Sequence, residues 1–207
     1  MDKDLLTHRT RLEDKIATLR TRTIDIVLAW VSKLLARQPK SDFRPRDDEA
    51  MAGLESLCTG TCSSVYDFLS RVHKSCITSL DGSGNQTPFF TDLAIGVRVL
   101  LFDHFKKFQV NLAGGLMVSK DITRYIELLK TWPVNPSFLA GLEVLVEVGN
   151  LFVIGPEALM ERVRGAGGAG GGGVFGAGME GRREARGYIM RREDAASIGV
   201  QMVLSAL

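Results

Sequence analysis

The stretch SKDITRYIELLKTWPVNPSFLAGLEVLVEVGNLFVIGP, residues 119–156, decides the fold class. Its first apolar side chains recur every three or four residues, as on one face of an α-helix: Ile122, Tyr125, Ile126 and Leu129. Asn135 followed by proline has the form of an N-cap residue and a first helical position. The valine-rich run that follows could by composition be a buried strand. Its length and the preceding cap favour a helix.

The same helical spacing continues over most of the chain. An early apolar stripe, which predicts one helix that buries this stripe on its neighbours and ends before Pro39, runs through Leu12, Ile16, Leu19, Thr23, Ile26 and Trp30. A second stripe runs from Met51 through Cys58 to Leu80, and a third runs from Phe90 to Phe108. Because no strand–turn–strand signal accompanies them, we predict an all-α helical bundle.

Turn and cap signals divide this pattern into helices. Residues 81–84 are turn formers, and Thr87 followed by proline predicts the start of the third-stripe helix. The double glycine at 114–115 predicts a loosening or an end of that helix. Ser119 is then the expected cap of the next helix, with Asp121 in its first turn, where the helix dipole favours an anion.

Composition restricts the class of protein. The 207 residues are 45% hydrophobic and 24% charged, as in ordinary globular proteins. A net charge of +2 gives no electrostatic case for nucleic acid. The first residues lack the apolar region of a secretory signal, and the odd number of cysteines, 3, suggests reduced thiols. We therefore expect a soluble intracellular protein.

A glycine-rich run near the C-terminus formally matches the G-x-G-x-x-G phosphate-binding pattern at residues 165–170. That pattern needs a preceding strand and a following helix, whereas here a charged helix end precedes it and more glycines follow. We predict a flexible linker at 165–181, between a helical bundle at 1–164 and a C-terminal helical element at 182–207. The mixed charges of that last element favour a solvated helix face; a basic binding patch is the alternative.

The cysteines and histidines could suggest a metal site, since Cys58 and Cys62 are followed by His73 and Cys76. On one helix, however, Cys62 and Cys76 would lie about 21 Å apart, which leaves two separate half-sites. We interpret these residues as core cysteines and a partly exposed histidine. Neighbouring Asp103 and His104 point about 100° apart on a helix and form no dyad. We therefore predict no catalytic residue, no cofactor, no cofactor-binding residue and no metal ligand.

Four stretches in this order resemble the C-terminal region of the Sec-ten-like family, which comprises exocyst complex component five and its fungal relatives: SDFRPRDD at 41–48, DHFKKFQVNLAGGLMVSKDITRYIELLKTW at 103–132, LEVLVEVGNLFVIGPEALMERVR at 142–164 and YIMRREDAASIG at 188–199. The most specific features are the double glycine before a tyrosine-bearing helix and NLFVIGPEAL. The resemblance extends from about Ser41 to about Gly199. Recyclin-type proteins of filamentous fungi share this region.

The resemblance implies a helical-rod tethering fold and a non-catalytic subunit that holds secretory vesicles near their target membrane. Its partners would be other exocyst or tethering subunits, not nucleic acid, and membrane contact would be indirect. The expected location is cytoplasmic, peripheral at sites of docking or polarised growth. A recyclin-type endosomal recycling adaptor, a generic helical adaptor and a helical enzyme with an unrecognised pocket are alternatives. Apolar stripe ends near Leu5, Leu6 and Trp30 are candidate interaction sites.

Overall fold

The computed structural model describes residues 3–46, 55–80, 82–165 and 179–207. These ranges are helical and contain no β-strand, which confirms the all-α prediction. The elements are α1 (Lys3–Leu35), a 3₁₀ turn (Lys40–Phe43), α2 (Gly60–Ser79), α3 (Gly82–Phe105), α4 (Leu112–Lys130), α5 (Pro136–Ala140), α6 (Glu143–Val153), α7 (Pro156–Gly165), α8 (Met179–Ile189) and α9 (Ile198–Ala206). One isolated bridge joins Val110 to Arg192.

Helix α4 lies at the centre of the bundle. It packs against α2, α6 and the 3₁₀ turn, while α1 packs against α2 and α3. Farther along the chain, α6 contacts α8, and α9 contacts α7 and α8. The buried apolar side chains form one hydrophobic core that runs from Ile24 of α1 to Leu204 of α9. The C-terminal helices therefore share the core of the preceding ones.

Helix α4 begins earlier than the sequence predicts. Its N-cap is Asn111, whose Oδ1 accepts a hydrogen bond from the Gly114 amide at 2.8 Å. Ser119 lies inside the helix and donates to the Gly115 carbonyl, so its predicted role as a cap was wrong. The double glycine belongs to the first turns because a Cβ on Gly114 would lie 1.7 Å from the carbonyl oxygen of Phe43. Close backbone packing, not a helix end, explains these glycines.

The predicted start of α3 was also wrong. The helix begins at Gly82 and carries Pro88 in its interior, so Thr87 is not its cap. The Gln86 side chain donates to the Leu80 carbonyl at 2.9 Å, which closes the C-terminus of α2 onto the first turns of α3. This contact gives a carbonyl at the end of α2 a hydrogen-bond partner from the first turns of α3.

In α1 the buried face is not the predicted one. The buried side chains are Ile24, Val27, Val31 and Leu35. The predicted stripe from Leu12 to Trp30 lies about 100° around the helix from them and is exposed. The reason is that α2 and α3 cover only the C-terminal part of α1, on the face that carries Ile24, Val27, Val31 and Leu35.

The second predicted stripe does not lie on one helix in the described residues. Helix α2 begins at Gly60, its N-cap is Thr59, and Cys58 precedes it. Val65 and Leu69 are buried as expected. The first stripe positions, Met51 and Leu54, lie outside the described residues. Thr59 was a readable cap signal, since threonine is a preferred N-cap residue.

The valine-rich run forms a helix, α6, as predicted. Asn135 caps the preceding α5, its Oδ1 accepting from the Ser137 amide at 3.1 Å. The segment Pro136–Val153 is long and apolar enough to cross a membrane, with a mean hydropathy of 1.4. It breaks into α5 and α6 near Gly141, and Leu145, Val148 and Phe152 are buried in the bundle core. Core packing accounts for its apolar composition.

The predicted linker falls mostly on residues 166–178, which lie outside the described residues, as does most of the G-x-G-x-x-G match. The division of the chain at 164 and 182 therefore stays a prediction. In the C-terminal part, Tyr188, Ile189, Val200 and Val203 are buried. Contacts of α8 with α6 and of α9 with α7 place these side chains against the bundle.

Candidate protein-interaction surface

Helix α1 exposes a row of large apolar side chains. Leu12 is 59% exposed, Leu19 63% and Trp30 49%, and Ile16 and Ile26 are exposed to a similar extent. Every side chain from residue 6 to residue 23 is exposed. A helix this apolar on one side would normally face another element. We call this row, Leu12, Ile16, Leu19, Ile26 and Trp30, the α1 face.

The spacing of the α1 face is that of a coiled-coil seam. With Thr23 included, its positions alternate between steps of four and three residues from 12 to 30. Such a heptad pattern keeps one row of side chains facing a supercoiled partner helix. The exposed length from residue 6 to residue 30 corresponds to about 36 Å of helix.

At its C-terminal end the α1 face meets α2. The Trp30 ring lies 6.5 Å from the Phe68 ring, centroid to centroid, and the Lys33 ammonium lies 5.2 Å from the Trp30 centroid. Phe68 also lines a shallow groove on α2, together with Arg71, Val72, Ser75 and Cys76. The apolar surface therefore continues from α1 onto its neighbour.

One cluster has the side chains of a metal site. The thiols of Cys58 and Cys62 and a carboxylate oxygen of Asp121 lie within 4.8 Å of one another. Both Asp121 oxygens already accept hydrogen bonds at 2.7 Å, from the Thr59 amide and the Thr59 hydroxyl. Burial raises the pKa values of both thiols, which disfavours the thiolates that a metal needs. We interpret the cluster as a clamp between the start of α2 and the middle of α4.

Sequence reasoning missed Asp121 in this clamp and placed it in a helix first turn. No local signal could have joined it to Thr59, because the two are distant in sequence and meet only through packing. His73 lies in another environment, with its ring 5.1 Å from Phe90 and 6.0 Å from Trp132, centroid to centroid. Cys58 and Cys62 thus meet Asp121, and the ring of His73 packs among aromatic side chains. The absence of catalytic, cofactor and metal residues stays a prediction.

A second buried ionisable group, His104, packs among phenylalanines. Its ring centroid lies 4.9 Å from that of Phe108 and 5.3 Å from that of Phe105. Burial, helped by the charge of Lys107, lowers the pKa of His104 to about 4. Burial also raises the pKa of Asp121 to about 6, against its hydrogen bonds from Thr59. Both groups are therefore favoured in their neutral forms.

These two groups should affect acid stability in opposite directions. Because the pKa of His104 is lowered on folding, its contribution to stability is lost as the pH falls from 6.5, the ordinary pKa of histidine, toward 4. Because the pKa of Asp121 is raised, its contribution is greatest at low pH and is lost as the pH rises toward 6. We expect His104→Phe to gain about 2 kcal/mol relative to the parent protein between pH 7 and pH 5, measured by urea unfolding.

The opposite change provides the control for this prediction. Asp121→Asn removes the carboxyl whose protonation stabilises the folded state as the pH falls. The free energy of unfolding of this variant should therefore fall by about 1 kcal/mol relative to the parent between pH 7 and pH 5. A His104→Phe variant whose free energy of unfolding followed the parent curve at both pH values would contradict the assigned burial of a neutral histidine.

Comparison with known proteins finds a family match that covers the whole bundle. Residues 3–204 match the family described as exocyst complex component Sec10-like, alpha-helical bundle. Exocyst complex component SEC10a of Arabidopsis thaliana is 31% identical over 185 residues, which are 89% of this chain and 20% of that protein. Exocyst complex component SEC10 of Saccharomyces cerevisiae is 30% identical over 149 residues, 72% of this chain and 16% of that protein. Exocyst complex component 5 of Caenorhabditis elegans is 24% identical over 150 residues, 72% of this chain and 22% of that protein.

Proposed function

The chain belongs to the Sec10-like exocyst component family, and on this premise we propose that it is a non-catalytic part of a vesicle-tethering subunit. It acts in exocytosis, in the docking of Golgi-derived vesicles at the plasma membrane, through contacts with other exocyst subunits. It works in the cytoplasm, peripherally at sites of vesicle docking or polarised growth. Its contact with membrane is indirect, through those partners.

The observation that carries this proposal is the match of the family over residues 3–204. The chain spans about a fifth of the length of the Arabidopsis relative it matches, at 20%. The architecture agrees with an assembly role, because layered helices leave an apolar α1 face uncovered within the described residues. The buried ionisable side chains, those of the Cys58–Asp121 clamp and of His104, are held by packing and hydrogen bonds.

The recyclin-type and generic-adaptor alternatives have less support. The three relatives named above all carry the name of an exocyst component. Nothing in the fold of the described residues separates an exocyst subunit from a recycling adaptor, since both would need exposed helical faces. The alternatives are therefore distinguished by partners.

The test is affinity purification of the tagged chain, in its longest native version, from its source cells, with quantitative mass spectrometry of the recovered proteins. Recovery of other exocyst subunits in fixed proportion to the tagged protein is the expected result. Recovery of ubiquitin-ligase adaptors or endosomal recycling factors would favour the recyclin-type alternative. Recovery of neither set from cells that express the folded protein would contradict a tethering function.

A further inference from the structure

We propose that the α1 face is a coiled-coil docking site for an amphipathic helix of another protein, one with acidic side chains beside its apolar row. The inference deepens the proposed function and depends on it only for the partner being a protein. It is carried by the pattern of apolar exposure on α1 and by the charges that flank it.

The apolar pattern fits a helical partner. Leu12, Ile16, Leu19, Ile26 and Trp30 are exposed in heptad register, whereas the side chains of α1 that the bundle buries lie on a different side of the helix. A row that repeats every 3.5 residues on average stays in contact with a second helix by supercoiling, which a flat protein surface does not match. Helix α1 thus has one face for its own bundle and another for a partner helix.

The exposed part of α1 also gains from being covered. Residues 6–23 have no buried side chain, and a free helix of this length is only marginally stable in water. Its ion pairs within the described residues are an exposed Arg9–Glu13 pair at 2.7 Å and a long Arg20–Asp92 pair to α3 at 3.5 Å. Exposed pairs of this kind contribute little to stability. A partner helix would supply the missing apolar burial.

The flanking charges select the partner. In heptad register, Glu13 and Arg20 border one side of the row, and Lys15 and Arg22 border the other. Glu13 is already paired with Arg9, and Arg20 with Asp92. Lys15 and Arg22 have no acidic side chain in salt-bridge range within the described ranges. The net border is basic, so acidic residues at the flanking positions of the partner helix would complement it.

A second copy of this chain does not fit the same surface. In a parallel pair, Lys15 of one copy would face Arg20 of the other, because each flanking position pairs with the position five residues further along in its partner. In an antiparallel pair, the Lys15 and Arg22 side would face itself. Both arrangements oppose like charges, which is a common means of excluding an unwanted partner.

The test uses designed peptides as probes and the full chain as the receptor. Two fluorescent peptides of about four heptads share leucine core positions and differ only in their flanking positions, all glutamate or all lysine. The double variant Leu12→Glu/Leu19→Glu disrupts the α1 face. The matched control, Thr18→Glu/Thr21→Glu, adds the same charge on the side of α1 that faces away from the α1 face. Both variants change only exposed side chains, so thermal unfolding should match that of the parent.

We expect the acidic peptide to bind at least about tenfold more tightly than the basic one, by fluorescence anisotropy. Leu12→Glu/Leu19→Glu should abolish this binding, and Thr18→Glu/Thr21→Glu should retain most of it. Lys15→Glu/Arg22→Glu should invert the preference between the two peptides.

Equal binding of both peptides, binding of neither, or binding indifferent to the Leu12 and Leu19 changes would overturn the proposal. Sedimentation showing a dimer that dissociates in the Leu12→Glu/Leu19→Glu variant would assign the face to a second copy instead. None of these results bears on which subunits co-purify from cells, so the proposed function is tested separately.

Discussion

Gly114→Ala should destabilise the bundle by more than about 3 kcal/mol, a large fraction of the stability of an ordinary domain. The added Cβ would lie 1.7 Å from the Phe43 carbonyl oxygen and 2.2 Å from its carbonyl carbon. Backbone atoms cannot rotate away as a side chain can, so the 3₁₀ turn at Lys40–Phe43 would have to leave α4. Phe43 is fully buried, and its displacement would open the core among Phe105 and Phe108.

The matched control is the same substitution at a helical glycine with open space. A Cβ at Gly187, within α8, would meet no atom within 4 Å. Gly187→Ala should therefore stabilise the protein by about 1 kcal/mol, through helix propensity and a more restricted unfolded chain. Chemical denaturation of both variants gives the comparison. A Gly114→Ala variant as stable as the parent would contradict the packing of α4 against the 3₁₀ turn.

Arg192→Ala should cost about 3–5 kcal/mol, because it removes a buried charge that several groups depend on. Arg192 is 6% exposed, and its Nη1 donates to the carbonyls of Leu151 and Ile154 at 2.8 and 2.7 Å. These carbonyls lie at the C-terminal end of α6, where backbone acceptors have no partner within the helix. Without Arg192, the hydrogen bonds that join the end of α6 to the segment between α8 and α9 are lost.

Two smaller changes separate the parts of this network. Asp194 pairs with Nε and Nη2 of Arg192, each at 2.8 Å, and these bonds lower the pKa of the Asp194 carboxyl. Asp194→Asn should cost less than Arg192→Ala, because Asp194 is half-exposed and water can replace part of the interaction. Arg192→Lys should fall between the two, since one ammonium cannot reach all four acceptors. Equal stability of Arg192→Ala and the parent would refute the assigned hydrogen bonds.

The sequence predicts the fold class well where a signal is local and repeated. The length of the valine-rich run correctly indicates the helix at Glu143–Val153, whereas the Asn135 cap belongs to the separate short helix α5, and the break near Gly141 has no signal in the predicted pattern. The sequence fails where a local signal has a tertiary cause. A double glycine looks like a helix end, and only the nearness of Phe43 shows that it permits close packing. A serine such as Ser119 can cap a helix or bond back within one.

Periodicity also cannot tell which apolar stripe is buried. The early stripe is real, but neighbours cover a different side of α1, and their positions depend on contacts between residues far apart in the chain. For the same reason, periodicity does not predict the contacts of Asp121 with Thr59, Cys58 and Cys62. Family resemblance, carried by residues 41–199, supplied the functional hypothesis that spacing alone could not provide.

We infer that this bundle acts through the exposed α1 face. The most direct test compares the exocyst subunits recovered per tagged molecule from source cells for the parent, Leu12→Glu/Leu19→Glu and Thr18→Glu/Thr21→Glu forms of the longest native protein. We expect equal recovery with the parent and the threonine variant, and at least about tenfold less of one partner subunit with the leucine variant. Undiminished recovery of every exocyst subunit with a folded leucine variant would contradict it.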